Sequence, residues 1–265
     1  MIAGLSPAVL VGLALISLAG GIGITALGPG GVLPTIGLFA LTGLSAPAVA
    51  GTALVTHVAT GIAGTAAFAR SGQLRQAHTR RTALTLAGAA VIGTPVGVLV
   101  NAQLSQRAFG YVLAAVVAVV ALLLWYRERR GAGRETAVVT GAVAPRRHPD
   151  PVTVAGIGAA VSVTGGIVGI GGPMLAVPLL IACGVPVLES LAAAQAQSIV
   201  IAAIGSVGYA AQGAIDWPLA LLVGVPELAG VFLGWRIAHA IPTRTLKRAL
   251  IVALLALAPY LAFTA

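Results

Sequence analysis

Long apolar runs alternate along this chain with short polar turns. The pattern predicts helices over 6–26, 31–43, 47–70, 81–101 and 108–126, and again over 152–168, 172–184, 187–212, 217–240 and 245–264. Several runs approach the ~20 residues that a helix needs to cross a bilayer. They are continuous rather than alternating, which argues against a transmembrane barrel. Between the two sets lies 127–151, with six arginines and few large apolar residues. It reads as a cytoplasmic linker dividing the chain into membrane repeats 1–126 and 152–265.

Two of the runs are interrupted, at matching places. Gly28-Pro29-Gly30-Gly31 separates 6–26 from 31–43, and Gly169-Ile170-Gly171-Gly172 separates 152–168 from 172–184. Each follows a Gly-Gly pair, Gly20-Gly21 and Gly165-Gly166. A helix broken inside a bilayer is costly unless its freed backbone groups face protein or a wet cavity. A duplicated break therefore points to a duplicated fold with a site between the copies.

Sliding 28–72 by 141 positions brings Gly28, Gly30, Gly31, Leu38, Gly43, Ala53, Gly64, Ala69 and Gly72 onto identical residues without a gap. Phe68 meets Tyr209 and Thr65 meets Ser206. A slightly different offset pairs Gly93 and Gly97 with Gly230 and Gly234.

Charge then orients the copies. The loop 70–81 carries Arg70, Arg75, Arg80 and Arg81, whereas its mate at 212–216 has no basic residue. Basic loops collect on the cytoplasmic side. Loop 70–81, the linker, and 236–248 with Arg236, Arg244, Lys247 and Arg248 are therefore expected inside, and the turns 102–107 and 212–216 outside. Equivalent loops then face opposite sides, so the repeats are inverted. The pair 152–184 must begin and end inside, and 172–184 is short for a crossing, which favours a re-entrant hairpin. Residues 1–43 follow by analogy, entering from outside. A kinked single crossing with parallel repeats is the competing arrangement.

Composition closes off other classes. The chain is 58% hydrophobic and only 8% charged, against about 25% charged residues in soluble domains. The expectation is an all-α polytopic membrane protein of about eight membrane helices, each repeat opening with a broken pair. The net charge of +9 sits in loops, without aromatic interleaving, and signals topology rather than nucleic-acid binding. Cys183 stands alone, so no intramolecular disulfide forms. The apolar N-terminus has no basic preface and reads as a retained membrane segment. No metal-ligand cluster, Walker motif or dinucleotide fingerprint occurs, so no metal or cofactor is expected and an enzyme is not.

At the paired Gly-x-Gly-Gly turns, Pro178, the helices ending at Gly72 and Gly213, and the closing stretch Gly230 to Pro242 followed by Leu246-Lys247-Arg248, the chain resembles the sulfite exporter TauE/SafE family of bacterial membrane transporters. The family often has a third glycine where this chain has Val32 and Pro173. The resemblance implies a multi-pass protein of the bacterial plasma membrane that exports sulfite, sulfonates or related small sulfur anions.

The residues supply a matching chemistry. The second half of a broken helix begins with unpaired N–H groups that attract anions, and glycine lets an oxyanion approach the backbone. Gly28, Gly30, Gly31, Gly169, Gly171 and Gly172 are thus candidate substrate-binding positions. Thr52, Thr56, His57 and Thr60 fall near one helix face; Thr56 aligns with Gln197 and His57 with Ser198, beside Gln195. Thr56, His57, Gln195, Gln197 and Ser198 could complete an oxyanion site. Interhelical hydrogen bonding and tight packing are the structural alternatives. His57 is the histidine well inside a span, and Glu227 the carboxylate placed deep in one; Glu227 is the candidate coupling residue. Glu189 is expected to cap the helix after Pro186, and Asp216 to sit at the external turn. The partners are then a small anion and the lipid bilayer, with a homo-oligomer left open. A non-transporting scaffold remains the alternative, and an intramembrane hydrolase a third, requiring contact between Ser198 and His57.

Overall fold

A computed structural model describes residues 4–70, 72–139, 149–240, 252, 254, 256–259 and 261. At 26, 27, 29, 126–139 and 235–240 the description is of the backbone alone. The expected basic turn 236–248 and helix 245–264 lie largely outside the described residues. Nine helices are described: α1 Pro7–Leu27, α2 Val32–Leu41, α3 Ala46–Arg70, α4 Ala77–Asn101, α5 Gln106–Val139, α6 Pro151–Val168, α7 Pro173–Ala182, α8 Val187–Ala211 and α9 Trp217–Ala240. Single 3-10 turns occur at Pro29–Gly31 and Gln73–Arg75.

Local chemistry sets the ends. Proline opens α1, α6 and α7 at positions where no backbone donor is needed. Asp216 Oδ1 accepts from Leu219 N at 3.0 Å and caps α9. Gly28 (φ 99°) ends α1 and Gly169 (φ 75°) ends α6, in a backbone region that other residues enter only with strain. The Gly169 N–H bonds back to the Gly165 carbonyl at 2.9 Å.

The surface is apolar where helices face outward. Val11 and Leu15 on α1, Leu84, Ile92 and Leu99 on α4, and Leu221, Val225 and Phe232 on α9 are exposed. Among the described residues seven helices (α1, α3–α6, α8 and α9) contain stretches long and apolar enough to cross a membrane. The chain is an all-α polytopic membrane protein, with lipid as the solvent for those faces.

Three helix pairs build the interior: α3 on α8, α1 on α9 and α4 on α6. Gly64 lies against Gln195, Gly61 against Ile199 and Gly205 against Leu54, so α3 and α8 run antiparallel. Gly158 meets Leu86 and Ala89, Gly93 meets Ser162, and Gly166 meets Gly97, so α4 and α6 run parallel. In α1 and α9, Gly230 packs on Leu18 and Gly234 on Ile22, again parallel. The first half thus lends α4 to the broken pair of the second, and the second half lends α9 to the broken pair of the first.

Both broken pairs double back. Gly20 touches Pro34, Gly37 touches Leu13 and Ile16, and Gly12 touches Leu41, so α2 retraces α1. At ten residues it is ~15 Å long, half a hydrocarbon core. Val154 at the start of α6 shares one apolar cluster with Leu180 and Val185 at the end of α7, and with Leu74 and Ala83 beside the α3–α4 turn. The contacts within each pair are those of a hairpin.

Two details differ from the sequence reading. Gly97 is packed by Val163, Gly166 and Ile167, while Gly230 is packed by Leu18, Gly21 and Ile22. The structural partner of Gly97 is therefore Gly230, not Gly234. Glycines four residues apart on one helix face make a one-turn slip invisible in the sequence. Second, α5 does not stop at 126 but continues to Val139, so the expected linker 127–151 begins as helix. Arg, Glu and Ala there are strong helix formers; hydropathy marks where the apolar span ends, not where the helix does. Residues 140–148 are outside the described set.

Candidate functional site

The two breaks meet. Gly28 lies against Leu191, Val177 and the Pro173 carbonyl, and the Thr35 hydroxyl on α2 donates to the Gly169 carbonyl at 3.1 Å. Between them is a small cavity lined by Ile24, Gly28, Gly31, His57, Thr60, Gly171, Pro173, Met174, Gln195 and Ser198. Its free space of about 20 Å³ slightly exceeds what one water needs. His57 and Ser198 sit midway along α3 and α8, which places the cavity at mid-membrane.

Both short helices start here. Gly31 immediately precedes α2, and Gly171, Pro173 and Met174 surround the start of α7. The first N–H groups of a helix have no intrahelical acceptor, and each such end carries roughly half a positive charge. A Cβ on Gly171 would fall 2.6 Å from Ser198 Oγ and 3.5 Å from the His57 ring. Glycine there keeps the cavity open.

Behind the lining stands a buried polar group. The His57 ring has Nε2 2.9 Å from the Gly31 carbonyl. Its Nδ1 is 3.1 Å from Glu227 Oε1. Thr56 Oγ1 is 2.6 Å from Glu227 Oε2 and 2.8 Å from the Ala53 carbonyl. His57 is 2% exposed and Glu227 fully buried, so the pair is shielded from bulk water and its protons are held by these partners alone. Both ring nitrogens are engaged, which leaves neither aimed at Ser198 as a hydrolase would need.

Of the residues singled out in the sequence, Gly28, Gly31, His57, Thr60, Gly171, Gln195 and Ser198 line the cavity. The others stand outside its wall. Gly30 is pressed against Gly20 and Gly23. Gly169 lies on the Ala50 backbone. Gly172 faces the Ala194 carbonyl at 2.9 Å from its Cβ position. Gln197 donates to the Gly158 carbonyl and Ser162 Oγ, both at 3.0 Å. Thr56 and Glu227 form the layer behind His57. Glu189 lies in the first turn of α8 and pairs with His78 at 2.7 Å, at the end of the molecule that holds the α3–α4 turn. Ile24, Pro173 and Met174 were not foreseen as lining; their only sequence signal is adjacency to the breaks.

A family model described as sulfite exporter TauE/SafE matches residues 13–261, and the chain belongs to that family. It is accordingly a multi-pass membrane transporter of a sulfite-exporter family rather than a member of an enzyme family, and its partners are a small substrate and the bilayer. No curated protein and no solved structure gives a significant match.

Proposed function

We propose that this TauE/SafE family member exports a small sulfur-containing anion, sulfite or a sulfonate, across the bacterial plasma membrane by alternating access. One observation carries the reading: both helix breaks, one from each half, open onto the same mid-membrane cavity. The antiparallel α3 and α8 and the reciprocal α1–α9 and α4–α6 pairings support treating 1–126 and 152–265 as inverted repeats, joined by a cytoplasmic linker within 127–151. Rocking one half against the other would open the cavity to each side in turn.

In this account the oxyanion rests between the α2 and α7 starts. Gly28, Gly31 and Gly171 allow close approach, while Thr60, Gln195 and Ser198 offer hydroxyl and amide donors. Gly30, Gly169 and Gly172 shape the turns, Thr56 and Gln197 brace α3 and α8, and Glu227 serves coupling through His57. No lysine or arginine is among the lining residues, which suits a transporter that must also release its anion.

The test is flux of sulfite, sulfate and ethanesulfonate in proteoliposomes, wild type against Gly171→Val. Wild type should move sulfite or the sulfonate. The variant fills the cavity and should lose at least ~90% of that flux, as expected when a fitted site is overpacked. Equal flux in a folded variant would place the path elsewhere.

A further inference from the structure

Resting on the anion-transport reading, the geometry points to a second transported species: we infer that the His57–Glu227 pair takes up one proton with each anion and carries it across.

The Gly31 carbonyl accepts only, so its 2.9 Å contact fixes a proton on His57 Nε2. Thr56 has one hydroxyl hydrogen but three neighbours at hydrogen-bond distance, the Ala53 carbonyl at 2.8 Å, Glu227 Oε2 at 2.6 Å and His57 Nδ1 at 3.3 Å. Each oxygen contact has a hydrogen of its own when Oε2 carries a proton and donates it to Thr56, which donates onward to Ala53. With that proton in place and Nδ1 bare, the pair is neutral. A second proton on Nδ1, facing Glu227 Oε1 at 3.1 Å, makes the pair singly positive. Oε1 has no other hydrogen-bond partner, so the group has room for that proton.

The imidazole that would gain the charge is also a wall of the cavity. Its surroundings offer no competing charge among the described residues. Facing it are Thr60 on its own helix, the Gly31 carbonyl before α2, Gly171, Pro173 and Met174 from the second break, Gln195 and Ser198 on α8, and Glu227 on α9. Glu227 is the carboxyl group among them. An anion in a poorly screened cavity favours the protonated imidazole beside it, and by linkage the proton favours the anion equally. The balance is simple: one anion and one proton enter, the pair goes from neutral to positive, and both leave on the other side. A monovalent anion then crosses without net charge.

The experiment uses the full chain in proteoliposomes with ethanesulfonate, an internal pH dye, and the potential set by potassium and valinomycin. About one proton should accompany each sulfonate. A potential of about 100 mV, which would bias a lone charge roughly 50-fold, should change the initial rate less than twofold. With the proton and the anion linked one to one, apparent sulfonate affinity at alkaline pH should fall about tenfold per pH unit. In Glu227→Gln the ratio of protons to sulfonate should fall from about one to near zero in whatever flux remains; His57→Asn provides the same test if Glu227→Gln does not fold. An infrared difference spectrum on adding ethanesulfonate should show an imidazolium signal that His57→Asn removes. Sulfonate flux that follows voltage and moves no proton would overturn this inference while leaving the transport reading intact. Folded wild type that moves neither sulfonate nor sulfite would overturn both.

Discussion

The two halves of the cavity are alike in scaffold and unlike in chemistry. Packing partners place Thr56 opposite Gln197, His57 opposite Ser198 and Glu227 opposite Thr94. Gly166 meets the Thr94 carbonyl and Val98 as Gly21 meets the Glu227 carbonyl and Val231. One side therefore holds an ionisable pair buried beside a hydroxyl. The other holds amide and hydroxyl groups, in which Thr94 Oγ1 and Gln197 Oε1 have no hydrogen-bond partner. Glycine contacts hold the frame in both halves because helices in lipid associate through close packing. The chemistry is free to diverge on that frame, and among the described residues of the two sides the ionisable pair stands on one alone.

The comparison breaks most visibly at its ionisable member. Glu227→Leu strips Thr56 and the His57 ring of a buried polar partner, at about 1–3 kcal/mol for each group left unsatisfied, so it should lower thermal stability strongly in detergent and abolish proton-linked flux. Thr94→Val, its positional counterpart, should cost less than about 1 kcal/mol, since it deletes a hydroxyl that has no partner. Similar losses at both positions, read by thermal unfolding, would show that the asymmetry has no energetic weight.

The frame itself should behave symmetrically. Gly97→Leu and Gly230→Leu each push a side chain into the backbone of the facing helix, at Gly166 and Gly21. Overpacking of this kind costs roughly 3 kcal/mol. Both variants should lose monodisperse protein on gel filtration to a similar extent. A tolerated Gly97→Leu beside a destroyed Gly230→Leu would undo the equivalence of the two crossings.

The smallest expected effect lies where the halves touch. Thr35→Val removes the hydroxyl that holds the Gly169 carbonyl. It should cost about 1 kcal/mol and move the melting temperature only slightly, while leaving gel-filtration behaviour unchanged.

Much of this frame was legible in the sequence. Helix positions, both breaks and the 141-residue match of α3 to α8 follow from apolar run length and glycine spacing. The packing of Gly64 on Gln195 and Gly205 on Leu54 agrees with that offset. The charge contrast between 70–81 and 212–216 led to the doubled-back hairpins. What stayed hidden depends on distance in the chain. Glu227 and His57 are on helices of different halves, so no local spacing announces that they touch. The slip of one turn between Gly230 and Gly234 was hidden for another reason: both positions satisfy the same small-residue pattern, and only the facing helix decides between them.

The central claim is a water-reachable anion site where the two breaks meet. The most direct measurement is thiol labelling of Ser198→Cys, with Cys183→Ala, by a small anionic methanethiosulfonate reagent in membranes. The account predicts labelling that ethanesulfonate suppresses, and none for Thr94→Cys in the same background. Unlabelled Ser198→Cys in folded, reconstituted protein, or labelling indifferent to the sulfonate, would contradict it.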